Sequence, residues 1–262
     1  MADGAVLARG ERAPADRIVF LGHATVLIEL DGVRLLSDPL LRRRVAHLRR
    51  HAPPVDMRVA ANPDAVLISH LHHDHLDLAS LRLLGTDTRL LVPAGAGSWL
   101  RRRGFTQPTE LSVGQAASVG VLSVSAVEAR HDGRRRPGGP RADTLGYLVH
   151  GRCAIYFAGD TELFEGMAGL SRALDVALLP IAGWGPTLGP GHMDPLEAAR
   201  AVSLLQPRLA IPMHWGTLLP LGLGRRRAAR LGHPPQSFAA HVARLAPNVE
   251  VRILAPGQET TL

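Results

Sequence analysis

The chain has 262 residues, 46% of them hydrophobic, and carries a formal net charge of +7. This composition is typical of a folded globular protein and argues against intrinsic disorder, and a chain of this length is expected to form a single domain over residues 1–262. All 30 basic residues are arginine. Schiff-base chemistry and a P-loop, which both require a lysine amine, are therefore excluded.

Neither an export signal nor a membrane span is predicted. Residues 1–14 lack a continuous apolar segment of the length that a secretory signal needs. Apolar runs such as residues 173–182 end well before the roughly 18 residues of a spanning helix. The single cysteine, Cys153, cannot form an internal disulfide and lies in an apolar run, as a core thiol does. These features favour a soluble, cytoplasmic protein.

The chain is predicted to begin with a β-hairpin. Residues 17–30 are rich in β-branched and apolar side chains, which predicts one strand. Asp31-Gly32 is a two-residue hairpin signal that leads into a second strand at residues 33–37. Residues 39–62 are rich in arginine and proline, so no element is predicted there.

A histidine-rich segment is expected to lie on a loop between a strand and a helix. Residues 65–69 predict a short buried strand, and residues 76–84 have the apolar spacing of a helix that Gly85 ends. The histidine-rich segment, residues 70–75, lies between the two and belongs to neither.

The rest of the chain is predicted to be mostly β at first and then to alternate between helices and strands. Strands are predicted at residues 89–92, 115–119, 121–127, 144–149, 154–158, 176–180, 209–212 and 249–254. Helices are predicted at residues 162–174, 195–206 and 236–245. Asp194 and Pro195 suit the N-cap and the first position of the second of these helices. A loop rich in glycine, proline and arginine occupies residues 132–143.

Four side chains of metal-ligand type occur within six residues: His70, His72, Asp74 and His75. Side chains alternate along an extended segment, so the first three can point the same way, and the start of a helix would then turn His75 into the same pocket. Imidazole nitrogens and a carboxylate oxygen suit zinc, with manganese, iron or nickel as alternatives. The four groups form either one crowded metal site or half of two adjacent sites.

Further ligands are expected downstream, because a catalytic metal ion needs about four ligand positions and keeps one of them for water. His131, Asp160 and His214 each lie where a loop follows a predicted strand. These three residues are therefore the candidates, with a surface histidine as the alternative interpretation of His131.

Several motifs resemble those of the metallo-β-lactamase superfamily, in the same order and over nearly the whole chain. Besides the histidine cluster they are Gly22-His23-Ala24-Thr25, Ser37-Asp38-Pro39, Gly159-Asp160-Thr161, Gly191-His192-Met193-Asp194-Pro195 and His214-Trp215-Gly216-Thr217. Within the superfamily, the chain is most similar to the branch of the L-ascorbate-6-phosphate lactonase and the N-acyl-phosphatidylethanolamine-hydrolysing phospholipase D. The resemblance implies an α+β fold, a four-layer αββα sandwich with the metal site at one edge between the two sheets.

The resemblance also implies two divalent metal ions, with zinc favoured. The first ion would be held by His70, His72 and His131, the second by Asp74, His75 and His214, and both by Asp160. His73 and Asp77 are not expected to be ligands, and Asp77 is a candidate for orienting a ligating histidine.

Two metal ions about 3.5 to 4 Å apart can deprotonate a bridging water, so the predicted nucleophile is hydroxide. This fits a sequence that has no nucleophile elbow and no activated cysteine. Asp74 is expected to be catalytic, as a ligand that also accepts a hydrogen bond from the nucleophile. His192 is the candidate for contact with the substrate or leaving group, in a loop with Trp184, and a helix-capping histidine is the alternative. His23 is a candidate for lining the pocket, with a structural turn histidine as the alternative.

The predicted reaction is hydrolysis of an ester-type bond in a small-molecule or lipid-like substrate, with phosphodiesters or phosphate-bearing substrates ahead of lactones. The alternatives are a lactonase, a nuclease, an iron-dependent oxygenase of the same superfamily and a non-catalytic, metal-stabilised binding protein. Nucleic acid stays an alternative partner because four arginine runs could bind phosphates, although solvated loops and helix faces are the favoured interpretation. The runs are residues 42–44, 101–103, 134–136 and 225–227. A homo-oligomer is left open.

Overall fold

The computed structural model describes residues 16–170, 173–184, 188–222 and 233–262. Its strands, in chain order, are β1 (Arg17–Gly22), β2 (Thr25–Leu30), β3 (Val33–Ser37), β4 (Arg44–Val45), β5 (Leu48–Arg50), β6 (Ala65–Leu67), β7 (Leu90–Pro93), β8 (Pro108–Leu111), β9 (Ala116–Val119), β10 (Leu122–Glu128), β11 (Leu145–His150), β12 (Ala154–Phe157), β13 (Val176–Pro180), β14 (Leu209–Met213), β15 (Leu218–Pro220), β16 (Glu250–Val251) and β17 (Glu259–Thr261). The helices are α1 (Met57–Ala60), α2 (Leu78–Leu84), α3 (Gly97–Arg101), α4 (Pro195–Leu205) and α5 (Pro234–Leu245), with a 3₁₀ helix at Glu165–Gly169.

Two mixed sheets of seven strands each form the framework of the described residues, with strand orders β17-β1-β2-β3-β6-β7-β8 and β16-β14-β13-β12-β11-β10-β9. Strand β1 shows how they are layered, because neighbouring side chains point to opposite faces. Phe20 packs into the core shared with the second sheet, whereas Leu21 packs into a separate cluster with side chains of α2 and α3. Helices α4 and α5 cover the outer face of the second sheet. The predicted α+β sandwich of four layers is therefore confirmed.

The segment predicted as one strand at residues 17–30 is in fact two strands, β1 and β2, joined by a tight turn at His23-Ala24. The apolar run around the turn conceals it in the sequence. Gly22, with φ of 108°, allows the turn, since a Cβ there would lie 2.9 Å from Arg50 Nη2. The next turn agrees with its prediction, because Asp31 and Gly32 both have positive φ, as a type I′ hairpin requires.

Two other predicted elements are wrong or shorter than expected. Within the described part of residues 162–174 the structure forms the 3₁₀ helix Glu165–Gly169 and no α-helix. Gly166 and Gly169 lie in this segment, and glycine weakens helices. The strand predicted at residues 249–254 is confined to Glu250–Val251.

Other elements were missed, among them the small sheet of β4, β5 and β15 that lies within the arginine-rich connection and beyond His214. No helix within the described ranges has both the length and the apolar character needed to cross a bilayer. The predicted single domain over residues 1–262 extends beyond the described ranges and stays a prediction.

The loops at one edge of the sandwich contain the metal-ligand-type side chains. The β1–β2 turn and the loops that follow β3, β6, β10, β12, β13 and β14 bring their polar side chains together at this edge. Tyr147 of β11 ties the two sheets together beside it, because its hydroxyl donates to the backbone carbonyl of Ile68, 2.8 Å away.

We expect Tyr147→Phe to lower the free energy of unfolding by about 1 to 2 kcal/mol, because a buried carbonyl loses its donor. Tyr156→Phe is the matched control, since Tyr156 is equally buried in the neighbouring strand and its hydroxyl has no partner among the described residues. Removal of that hydroxyl should be neutral or stabilising. Urea denaturation of both variants measures the difference, and equal losses would contradict the role given to the Tyr147 hydrogen bond.

Candidate metal centre

Ten side chains of metal-ligand type converge where these loops meet, in four overlapping groups whose ligand atoms lie within 4.8 Å of one another. They are His23, Asp38, His70, His72, Asp74, His75, His131, Asp160, His192 and His214. The seven ligands expected from the sequence are all among them. The structure adds Asp38, and it places His23 and His192 in the cluster itself.

The first group is formed by three histidines from two loops. His70 Nε2 lies 3.0 Å from His72 Nδ1, and His131 Nε2 lies 3.0 Å from the same His72 nitrogen. Two of the residues follow β6 and the third follows β10, so the group is assembled from both sheets. His131 is half-buried within this group, which argues against the alternative of an isolated surface histidine.

The second group joins Asp74, His75 and His214. His75 Nε2 lies 3.2 Å from His214 Nε2 and 3.9 Å from Asp74 Oδ2. His23 completes the group, because its Nε2 donates to Asp74 Oδ2 at 3.0 Å.

Asp160 lies against the second group and also reaches His192. Its Oδ2 is 3.0 Å from His75 Nε2, 3.3 Å from His214 Nε2 and 3.5 Å from His192 Nε2. Its Oδ1 is buried and has no hydrogen-bond partner among the described residues. Gly159 permits this close approach, since its φ is 63° and a Cβ there would lie 2.5 Å from Ser69 Cβ.

The outward nitrogens of four histidines are anchored on oxygen atoms. The contacts are His70 Nδ1 to Ser69 Oγ at 2.9 Å, His75 Nδ1 to Asp38 Oδ2 at 2.7 Å, His131 Nδ1 to Gly191 O at 2.8 Å and His214 Nδ1 to Ala182 O at 2.8 Å. A carbonyl oxygen only accepts, so His131 and His214 must carry their proton on Nδ1. Their Nε2 lone pairs then face the cluster. With the unpartnered oxygen of Asp160, this donor set fits divalent metal ions.

Asp38 is the functional residue that the sequence interpretation missed. It is fully buried, accepts from the backbone N–H of Ser69 at 2.8 Å and holds His75. The expectation that Asp77 orients a histidine is wrong, because Asp77 caps α2 through Ser80 and pairs with Arg42 at 2.7 Å. A carboxylate next to Pro39 at a strand end was the available signal, but its partners come from another strand and loop.

Three of the seven non-glycine residues with positive φ in the described ranges lie at this site. His23, Asp38 and His214 have φ of 59°, 34° and 61°, values that side chains other than glycine rarely adopt. A hydrogen bond of 2.8 Å from the His214 N–H to the His23 carbonyl locks two of these turns together. The His23 side chain contacts Asp74 and is only 2% exposed. It therefore does not line an open pocket.

Trp184 and His192, the two residues of one loop that were predicted to contact substrate, lie in different places. His192 is partly exposed beside Asp160 and His131, with ring centroids of the two histidines 4.7 Å apart. Trp184 instead packs against Leu40 and its neighbours near the small sheet and lies edge-on to His47, 5.0 Å away. The structure therefore brings His192, and not Trp184, to the cluster.

Burial sets the protonation of most of these histidines. It lowers the pKa of His23 to about 3 and that of His131 to about 4, so both are neutral at pH 7. Burial acts on His75 in the same direction, but the carboxylates of Asp160 and Asp38 outweigh it and hold its pKa well above the ordinary value. A metal ion that binds His75 must therefore displace a proton.

Comparison with known proteins gives a consistent result. Residues 33–215 match the family model described as the beta-lactamase superfamily domain. The UPF0173 metal-dependent hydrolase of Methanopyrus kandleri is 34% identical over 92% of this chain and 98% of its own. The N-acyl-phosphatidylethanolamine-hydrolyzing phospholipase D 1 of Caenorhabditis elegans is 28% identical over 78% of this chain and 64% of its own.

A solved structure extends the similarity to the fold. Igni18, a metallo hydrolase from the archaeon Ignicoccus hospitalis, matches with a TM-score of 0.74 and 26% identity, over 95% of this chain and 98% of its own.

We expect Asp38→Asn to weaken metal binding by about 10- to 100-fold. An asparagine amide would donate to His75 Nδ1 and move the ring proton to Nε2, which removes the lone pair that faces the cluster. Asp77→Asn is the matched control, because asparagine still caps a helix and only the pair with Arg42 is lost. Competition with a chromogenic chelator measures both affinities. Equal weakening in the two variants would contradict the assignment.

Proposed function

The chain belongs to the metallo-β-lactamase superfamily of metal-dependent hydrolases, and from this premise we propose that it hydrolyses an ester-type bond with two divalent metal ions, zinc being favoured. The observation that supports two ions is the buried Asp160, whose Oδ2 contacts the second group while its Oδ1 has no partner among the described residues. The first ion is assigned to His70, His72 and His131, the second to Asp74, His75 and His214, and Asp160 is assigned to both.

Divalent ions held by these residues would supply a hydroxide at neutral pH and would polarise the oxygen under attack. The residues around them orient the reacting groups. Asp74 is proposed to accept a hydrogen bond from the nucleophile as well as to ligate. His23 keeps Asp74 in place by donating to one of its carboxylate oxygens, Oδ2. The other carboxylate oxygen receives no hydrogen bond from His23. His192, and not the buried His23, is the histidine proposed to line the pocket.

His192 is proposed to contact the leaving group. Its ring lies at the edge of the cluster, 3.5 Å from Asp160 Oδ2, with its other nitrogen near the Gly189 carbonyl at 3.1 Å. The hydrogen bond to a carbonyl requires a proton on Nδ1. Nε2, on the side of the cluster and partly exposed, would give a proton to the departing oxygen from the doubly protonated ring, and the Asp160 carboxylate outweighs burial and raises the pKa of His192 in that direction.

The proposed substrate is a phosphodiester or another phosphate-bearing ester, small or lipid-like. The similarity to the phospholipase D 1 of Caenorhabditis elegans supports this choice, as does the supply of arginine in this chain. We also propose that, within the superfamily, this chain is most similar to the branch that contains the lactonase and the phospholipase. A cytoplasmic location and a homo-oligomer stay predictions.

We expect purified protein to contain about two metal ions per chain, and Asp160→Ala and His214→Ala to lose metal and about a hundredfold or more of the turnover. His150→Ala is the control, since His150 is exposed at the end of β11. Metal analysis is paired with chromogenic phosphodiesters, phosphomonoesters, lactones and β-lactams. Wild-type metal content below one per chain, or full turnover in both cluster variants, would sink the two-metal hydrolase.

We expect His192→Gln to keep its metal content and to lose turnover in a way that depends on the leaving group. An ester with a poor, alkoxide leaving group should lose about a hundredfold in kcat, because general acid catalysis contributes on that order. A 4-nitrophenyl ester should change little, since its leaving group departs without a proton. The same loss with both leaving groups would exclude His192 as the proton donor.

A further inference from the structure

A pocket of about 360 Å³ opens beside the cluster, on the side of the first group of histidines. Its lining consists of His72, Asp132, Arg134, Arg135, Arg136 and Pro137. Three guanidinium side chains thus face one carboxylate. Because His72 belongs to both the pocket and the first group, a molecule in the pocket lies next to the reacting centre.

Arg135 fixes this arginine segment to the histidine loop. Its Nη1 donates to the carbonyls of Leu71, at 2.7 Å, and Leu76, at 2.9 Å, while its Nη2 donates to His73 Nδ1 at 3.1 Å. The guanidinium also lies 4.9 Å from the ring centroid of Trp99. Burial lowers the pKa of Arg135 to about 10, so it stays charged at neutral pH. The arginine segment that lines the pocket is therefore held in a fixed position relative to His72.

Arg134 and Arg136 are the free charges of this segment. Both are exposed, and neither forms an ion pair with a carboxylate in the part of the chain that the structure describes. Other arginines near the site are neutralised, since Arg42 pairs with Asp77 and Arg130 pairs with Glu128. Unpaired guanidinium groups beside a reacting centre provide bidentate donors for an oxyanion.

A neighbouring pocket, which shares Asp132 with the first, lacks this excess of positive charge. This second pocket, of about 380 Å³, is lined by Arg130, His131, Asp132, Glu162, Pro190 and Gly191. Its one arginine is paired with Glu128, and two carboxylates face it. The electrostatic asymmetry gives a bound substrate a direction: its anionic end favours the side of Arg134 and Arg136.

We propose that the pocket of Arg134, Arg135 and Arg136 is a subsite for an anionic group, a carboxylate or phosphate, carried by a small substrate a few atoms away from the bond that is cut. The proposal rests on the proposed hydrolase function and specifies its substrate class. The pocket has the size of a small-molecule site, which lies at about 300 to 1,000 Å³. That favours a small substrate over the extended phosphate backbone of a nucleic acid.

The test uses two esters that differ in one charge. Mono-4-nitrophenyl succinate and 4-nitrophenyl butyrate have acyl groups of the same length, and only the first carries a terminal carboxylate. We expect the wild type to prefer the succinate by about tenfold or more in kcat/KM, and Arg134→Gln with Arg136→Gln to abolish that preference through KM. Hydrolysis of the butyrate should stay within about twofold. Arg200→Gln, an exposed arginine of α4, is the matched control.

A second readout does not need turnover. Phenylglyoxal labels accessible arginines, and mass spectrometry locates the label. Succinate and inorganic phosphate, added separately, should each protect Arg134 and Arg136 and leave Arg200 unprotected. An oligonucleotide should protect neither.

These measurements separate the two proposals. If the wild type hydrolyses neither ester nor any other substrate of the panel, the hydrolase function fails, while anion protection of the two arginines still supports the pocket. If both esters are cleaved equally well, or if succinate and phosphate protect Arg200 as much as Arg134 and Arg136, the subsite is overturned. Protection by an oligonucleotide alone would overturn it in favour of nucleic acid.

Discussion

The packing of ten buried or half-buried ligand-type side chains against one another at one edge of the sandwich is the constraint on which the rest of this structure depends. Nitrogens of neighbouring histidines lie 3.0 to 3.2 Å apart, and three buried carboxylates lie among them. A protonated His75 compensates part of this charge. Divalent cations would compensate the remainder, and this polar edge of the sandwich is therefore suited to binding ions.

The fold supplies what such a cluster needs. Two sheets with both faces covered leave their loops at one edge, and those loops are fixed from outside by oxygen acceptors on their own backbone and on Asp38. Glycines at Gly22 and Gly159 let the chain pass close to neighbouring side chains, and Tyr147 holds the second sheet to the strand that ends at the histidine loop. Orientation of the ligand atoms is thus achieved before any ion binds.

The sequence alone was sufficient to predict those ligand-type residues of the site whose positions follow from their spacing along the chain. The spacing of His70 and its neighbours fixes four ligand-type groups, and the position of Asp160 and His214 after apolar strands places them at the same edge as the first four. The four-layer sandwich, by contrast, came from the resemblance to a family and was confirmed by the fold. Asp38 and the arginine pocket could not be predicted, because their partners lie on segments that meet only in the folded chain. The turn at His23 was hidden within a continuous apolar run, and the segment at residues 162–174 has helix-like apolar spacing that its glycines defeat.

The hydrogen bond between the backbones of His23 and His214 has a consequence for how the protein acquires its ions. The two residues are brought together from opposite ends of the chain, and β1, which leads to His23, also pairs with β17 at the C-terminal end. Contacts of such large sequence separation form slowly and late in folding. A nascent chain therefore exposes its first four ligand-type groups long before the second group is complete, and full-affinity capture of the metal ions marks the completion of the fold.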